Sequence, residues 1–175
     1  MTRAAPALAM ALLLAGCMTG HRADRQPAAG PDLRPESFFA GQTCGRGVIR
    51  TIAGGAGRGF EVSSVGRRTG EAIRVDQTIR YADGKVDRRF WTLRPSNPNQ
   101  YEGTLSDAAG PVRAEVSGDR LRIRYLLKRP AVTMEQWLYL QPDGRTLRNE
   151  GTVRAFGIVV ARLSEQISRD EPAVR

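Results

Sequence analysis

The sequence has very little of the side-chain chemistry on which most enzymes depend. Its 175 residues include one histidine, His21, and only two cysteines, Cys17 and Cys44. A zinc site, or a nucleophile paired with a histidine, needs more of these side chains than the chain supplies. We therefore expect no catalytic residues, no metal site and no cofactor, and we expect that the protein is not an enzyme.

Lysine and aromatic residues are also scarce. Lys85 and Lys128 are the only lysines, so arginine carries nearly all of the positive charge in a chain with a formal net charge of +9. A basic surface suits an anionic lipid, an acidic protein or a nucleic acid, and it also simply keeps a protein soluble. The N-terminal sequence favours a membrane, and we expect no nucleic-acid partner.

The N-terminal apolar run is too short to cross a bilayer as a helix, so residues 1–16 are predicted to be a signal peptide. The sequence Leu14-Ala15-Gly16-Cys17 matches the lipobox of bacterial lipoproteins, in which the cysteine thiol accepts a diacylglyceryl group. We predict a lipidated Cys17; an ordinary signal peptide that happens to contain a cysteine is the alternative. By resemblance to sorted lipoproteins, Met18 after the cysteine predicts the outer membrane of a Gram-negative bacterium, on its periplasmic face.

The region after the lipobox divides into a tether, a domain and a tail. Residues 17–34 are polar, contain two prolines and show no periodicity, which predicts a flexible tether. Residues 35–167 are predicted to form the folded domain, and residues 168–175 a disordered tail. Because lipidation consumes Cys17, an internal disulfide is excluded and Cys44 is expected to be a small, half-buried residue; an intermolecular or redox-active thiol is the alternative.

Alternating runs on either side of Asp83-Gly84, in residues 73–94, predict a β-hairpin with a two-residue turn. That register pairs Ile79 with Arg88 and Gln77 with Phe90. One face of the pair is then mostly apolar and the other is charged with matched signs, as a half-buried antiparallel pair requires.

Two further hairpins follow. Residues 112–127 turn at Gly118-Asp119, which pairs Ala114 with Ile123. Residues 133–155 turn at Asp143-Gly144, which pairs Leu138 with Asn149; a longer loop with a bulge would exchange the two faces of this hairpin.

Shorter segments complete the predicted domain. Residues 35–39 predict one helical turn with Phe38 and Phe39 as an apolar plug. The remaining strands are expected within residues 41–52, at residues 59–67 and at residues 101–105. Residues 156–167 predict either a closing strand or a terminal helix, and we favour a strand that runs into a helical turn. About nine hairpin-connected strands without a crossover helix predict an all-β, antiparallel up-and-down barrel of about 8–10 strands.

Several short motifs resemble a bacterial family of unknown function, domain-of-unknown-function family 3833. Their order and spacing carry the resemblance from Phe38 to Ile167, and the resemblance implies a lipocalin-like barrel in the cell envelope, without implying an activity. The motifs are Phe38-Phe39-Ala40-Gly41, Gly45-Arg46-Gly47, Tyr81-Ala82-Asp83-Gly84, Arg89-Phe90-Trp91, Tyr101-Glu102-Gly103, Asp107 with Gly110, Trp137-Leu138-Tyr139-Leu140 and Phe156-Gly157.

A candidate ligand site lies on the apolar face that these registers define. A few polar groups in an apolar cavity can orient one amphiphilic ligand, with a guanidinium facing an anionic head group. The alternative is that these side chains sit in water at the mouth of the barrel, or that the register is wrong by one. The predicted ligand-binding residues are Gln77, Arg88, Phe90, Gln136 and Asn149.

A second candidate surface lies on the opposite face. Exposed aromatic rings beside arginine could contact a protein partner or a lipid interface through cation–π interactions; the alternative is that the rings pack beneath a loop or the terminal segment. The residues of this surface are Arg89, Trp91, Trp137 and Tyr139.

Two functions follow from these patterns. The first is a lipid-anchored, periplasm-facing binding protein that holds a small apolar or anionic amphiphile, such as a fatty acid or a phospholipid, inside the barrel. The second is an envelope scaffold with a filled core that holds another protein through its arginine and aromatic surface. The presence or absence of an interior cavity separates them.

Overall fold

The computed structural model describes residues 32–169. The predicted signal peptide, Cys17, most of the predicted tether and residues 170–175 lie outside this range. At its N-terminal limit, Leu33 is 2% exposed and its backbone N donates to the Gly118 carbonyl over 2.9 Å. The folded domain therefore includes Leu33, which the sequence analysis assigned to the tether.

Ten antiparallel strands close into a single barrel in which each strand pairs with its neighbours in sequence and β10 pairs with β1. This confirms the predicted all-β, up-and-down barrel. The elements are α1 (Pro35–Phe38), β1 (Gly41–Thr51), β2 (Arg58–Thr69), β3 (Ala72–Tyr81), β4 (Val86–Asn97), β5 (Gln100–Leu105), β6 (Val112–Ser117), β7 (Arg120–Lys128), β8 (Val132–Leu140), β9 (Thr146–Ala155) and β10 (Ile158–Ser168).

The single turn of α1 plugs one end of the barrel, here called the helix end. Pro35 occupies its first turn, where a missing backbone N–H has no consequence. Phe38 and Phe39 are each 4% exposed, and the Phe39 ring meets Trp91 edge-on at 5.0 Å. The predicted helical turn and its apolar plug are thus confirmed. The loops β1–β2, β3–β4, β5–β6, β7–β8 and β9–β10 lie at the opposite end, here called the far end.

The registers of the second and third hairpins are as predicted. Ala114 pairs with Ile123 across β6 and β7, and Leu138 pairs with Asn149 across β8 and β9. Gly118 has a φ of 57°, which is the left-handed conformation that its tight turn requires.

The register of the first hairpin differs from the prediction by one residue. Its loop has three residues instead of two: the Tyr81 N donates to the Lys85 carbonyl, and Gly84, at φ 83°, supplies the left-handed position. Gln77 therefore pairs with Arg89 and not with Phe90. Because side chains alternate between faces, this single step exchanges the inward and outward residues of β4.

The end of the chain is also more extended than predicted. β10 continues as a strand through Ser168, so the expected helical turn was wrong and the expected tail begins at least one residue later. Leu163 and Ile167 are spaced by four, which suits a helix, but residues four apart also share a face of a strand. Hydrogen bonding to both β1 and β9 selects the strand.

The interior contains two apolar clusters. The larger lies toward the helix end around Leu33, Val75, Leu93, Leu121 and Leu147. A smaller one, formed by Phe60, Val62 and Ile79, lies on β2 and β3 toward the far end. Within residues 32–169, no helix is long and apolar enough to cross a membrane.

A candidate ligand site inside the barrel

Polar side chains lie in the barrel interior beside these apolar clusters. They come from five strands: Ser64 on β2, Gln77 on β3, Arg89 on β4, Asn149 on β9 and Glu165 on β10. Ser64, Asn149 and Glu165 are 5%, 2% and 8% exposed. Burying polar groups in this way is costly unless they find partners, so their partners indicate what the site can do.

One half of the site is a hydrogen-bonded chain that fixes Arg89. The Arg89 Nε donates to Gln77 Oε1 over 2.9 Å, and Gln77 Nε2 donates to Ser64 Oγ over 3.1 Å. The Arg89 Nη1 lies 3.7 Å from Asp107 Oδ2, which is an ion pair but longer than a hydrogen bond. A guanidinium has five N–H donors, so this arrangement leaves capacity to bind an anionic or carbonyl group.

The other half is the buried pair Asn149 and Glu165. Asn149 Nδ2 donates to Glu165 Oε2 over 2.9 Å, whereas Asn149 Oδ1 is buried and has no hydrogen-bond partner. An unsatisfied buried acceptor is costly, and it needs a donor from a water molecule or a ligand. Burial raises the pKa of Glu165, although the hydrogen bond from Asn149 and the charge of Arg89 oppose this shift.

Two glycines on β1 make room for the Glu165 side chain. A Cβ at Gly45 would collide with Glu165 Oε1, and one at Gly47 would lie 2.9 Å from Glu165 Cβ and 2.6 Å from the Phe60 ring. The motif Gly45-Arg46-Gly47 therefore has a physical role: it lets a carboxyl group lie across the inner surface of a neighbouring strand.

These groups line an amphipathic cavity of about 60 Å³. One buried water molecule needs about 10–15 Å³, so the cavity can hold more than a single water molecule. Its polar lining is Gln77, Arg89, Gln136, Asn149 and Glu165, and its apolar lining includes Phe39, Trp91, Leu93, Ile123 and Leu138. The barrel interior is therefore not completely filled, but in this conformation its cavity is too small for a long acyl chain.

The structure brings together three of the five residues predicted to bind a ligand. Gln77, Gln136 and Asn149 line the cavity. Arg88 and Phe90 do not, because the register of the first hairpin turns both outward, and Phe90 is 37% exposed.

The sequence analysis did not assign the other lining residues to the ligand site, and three of these matter most for its chemistry. Arg89 and Trp91, which were predicted to face outward, point inward and line the cavity. Glu165 was not identified, because the closing segment was expected to become helical. The paired small residues Gly45 and Gly47 were the signal that could have indicated a side chain crossing β1.

Trp137 and Tyr139 lie on the outer face of β8, as predicted, and stack at 6.4 Å with an interplanar angle of 18°. Arg122 lies 5.0 Å from the Trp137 ring centroid, and Arg148 lies 5.3 Å from that of Tyr139. Glu135 accepts hydrogen bonds from Arg122 and Trp137. Burial alone would raise the Glu135 pKa, but these bonds outweigh it and hold the pKa below its usual value.

Among residues 32–169, no three His, Cys, Asp or Glu side chains come close enough together to hold a metal ion.

The fold and the interior cavity define a lipocalin-like barrel. Residues 11–169 match the model of a protein family of unknown function (DUF3833), and the chain belongs to this family. No curated protein matches the sequence.

Two solved structures share the barrel fold. An S-type phycobiliprotein lyase, CPES from Guillardia theta, is 9% identical with a TM-score of 0.61, covering 78% of this chain and 91% of its own. The M. tuberculosis protein Rv2717c is 21% identical with a TM-score of 0.60, covering 80% of this chain and all (100%) of its own. At these identities the likeness is one of fold.

Proposed function

We propose that this protein is a lipid-anchored, periplasm-facing binding protein of the outer membrane that holds a small anionic amphiphile inside its barrel. The observation that carries the proposal is the buried Asn149 Oδ1, which has no partner and lies in the lining of the same cavity as Arg89. A ligand with an anionic oxygen and a donor group would satisfy both residues.

The cavity limits the size of that ligand. Typical pockets for drug-sized ligands occupy about 300–1,000 Å³, far more than is present here. The proposal is therefore a short amphiphile, with its head group at Arg89 and its apolar part against Trp91 and Leu138. A longer acyl chain would have to displace side chains of the larger apolar cluster.

The proposed location at the membrane is supported by the sequence, and the proposed binding role is supported by the cavity. The lipobox at Cys17 supports anchoring at the membrane. The cavity contains no side-chain set for nucleophilic or metal-assisted chemistry, which supports binding over catalysis as the role of this site.

Adjacent arginines on β4 provide the matched test. In a chain carrying Cys17→Ser, so that no anchor lipid is attached, Arg89→Gln removes the cavity charge and Arg88→Gln removes an outward charge from the next residue. Native mass spectrometry of protein purified from the periplasm should show a bound small molecule in the parent and in R88Q. Its occupancy should fall by at least about tenfold in R89Q, because a charge-assisted hydrogen bond is lost.

A second function, that of an envelope scaffold with a filled core, is supported by the small cavity and by the stacked outer pair Trp137 and Tyr139. A bare mass for the parent protein, or equal losses in R88Q and R89Q, would overturn the binding proposal in favour of this one. A ligand that R89Q loses and R88Q retains would count against the scaffold.

A further inference from the structure

Exposed apolar side chains are concentrated at the far end of the barrel. Five of the seven large hydrophobic residues that are exposed within residues 32–169 lie there: Val86 begins β4, and the other four lie on β10 or in the loops that adjoin β1 and β10. We call Ile52, Phe156, Ile158 and Val160 the apolar tip; they are 57%, 72%, 71% and 37% exposed. The Ile52 N donates to the Val160 carbonyl over 2.9 Å, so the two segments are joined.

The backbone at Phe156, the one aromatic residue of the apolar tip, adopts an unfavourable conformation that leaves the ring exposed to solvent. Phe156 has a φ of 49° and Gly157 a φ of 81°, the two left-handed positions of a type I′ turn. Asn, Asp and Gly suit the first of these positions, and a bulky side chain there is an outlier. Since the ring is not buried, packing within the barrel does not explain the phenylalanine, and outliers of this kind often mark functional surfaces.

Arginines flank the apolar tip. Arg50 lies directly opposite Arg162 in the β1–β10 register, and Arg154 lies opposite Val159 on β9 and β10. All three are exposed, and within residues 32–169 none of them forms an ion pair. Like charges directly opposite each other destabilise a sheet, so this arrangement suits an anionic surface that neutralises them.

We propose that the apolar tip and these three arginines form a second membrane-contact site, specific for an anionic phospholipid surface and separate from the anchor at Cys17. Phe156 and Ile158 enter the boundary between head groups and acyl chains, and the guanidinium groups bind the head-group phosphates. The charge pattern disfavours a second copy of this chain, because it would bring two sets of arginines together.

Vesicle binding tests this site directly in the full chain with Cys17→Ser. The tip variant is Phe156→Ser with Ile158→Ser. The matched control is Phe90→Ser with Val65→Ser, which removes two exposed apolar side chains from the barrel wall. Partition onto phosphatidylethanolamine vesicles containing phosphatidylglycerol should fall by about tenfold or more in the tip variant and by less than about twofold in the control. The N-terminal segment is shared by all variants, so the ratio between variants is the measurement.

Three results would overturn the proposal: equal partition of the tip variant and the control, equal partition of the parent onto phosphatidylcholine vesicles, or a parent dimer in sedimentation that the tip variant breaks. Circular dichroism and thermal melting verify that each variant is folded.

A second test removes charge from the site. Arg50→Gln with Arg162→Gln should reduce binding to the anionic vesicles and make that binding less dependent on salt concentration. This proposal does not depend on a ligand in the cavity.

Discussion

Glu165 is a buried carboxyl group whose pKa is raised by its environment. Because burial raises its pKa, the protonated form is favoured in the folded protein. A raised folded pKa contributes stability that is fully present below the unfolded value of about 4.5 and is lost as the pH rises through the folded value. Glu165 therefore makes the protein less stable toward neutral pH.

Glu165→Gln should remove this dependence, since glutamine imitates the neutral acid. The free energy of unfolding, measured by urea denaturation, should be similar for wild type and E165Q near pH 4. E165Q should become the more stable of the two as the pH rises toward 8. The exposed control E150Q should follow wild type; a constant difference between wild type and E165Q at all pH values would show that folding does not shift the Glu165 pKa.

Gly47→Ala tests the space that the glycines of β1 provide. The added Cβ would lie 2.5 Å from the Ser164 carbonyl oxygen and 2.6 Å from the Phe60 ring, so the neighbouring strand must move. We expect a destabilisation of about 1–3 kcal/mol in urea denaturation. Gly110→Ala is the control, since nothing lies within 4 Å of its Cβ position; equal effects at both sites would contradict this account of β1.

At the residue scale, the sequence predicted the inner polar positions where the register was right. Gln136 and Asn149 were found because the third hairpin turns as expected. The sequence analysis placed Arg88 in the site, where the structure has Arg89. The number of residues in the β3–β4 loop sets which face of β4 points inward, and alternation alone does not reveal that number.

Among the elements, the β9–β10 hairpin carries the clearest local conflict between sequence and backbone. A non-glycine residue in the left-handed region costs about 1–2 kcal/mol, and asparagine is tolerated there far better than phenylalanine. Phe156→Asn should therefore raise the free energy of unfolding by about 0.5–1.5 kcal/mol. Phe156→Ala, which keeps the strained conformation, is the control and should give no such gain; a loss of stability in F156N would mean that the ring contributes packing.

The hairpins also show which elements the sequence could specify. Turn residues such as Gly118-Asp119 and Asp143-Gly144 located two hairpins and their registers. The first hairpin was located but slipped, since Asp83-Gly84 suits both a two-residue loop and a three-residue loop ending in a left-handed glycine. β10 was misread in part because a spacing of four residues is compatible with both a helix and a strand.

For the whole molecule, the two cysteines give a prediction about location. Cys17→Ser should remove the mass of the acyl chains and let a high-salt wash release the protein from the membrane fraction, because the anchor depends on that thiol and the remaining contact at the apolar tip is weakened by salt. Cys44→Ser should leave the protein in the membrane fraction. A membrane-bound C17S chain with unchanged mass would mean that the lipobox is not used.

The closed barrel could be predicted at this scale because successive hairpins without a crossover helix leave sheet edges that closure removes. The cavity could not be predicted, since its volume depends on which inner side chains meet across the barrel. Whether the cavity is filled depends on which large side chains point inward, as the Trp91 ring does.

High-resolution crystallography of protein purified from the periplasm, with Cys17→Ser, tests the central claim most directly. The account predicts connected electron density in the cavity for a small molecule that accepts a hydrogen bond from Arg89 and donates one to Asn149 Oδ1. A cavity containing only separate water molecules, or an Arg89 side chain turned outward, would contradict it.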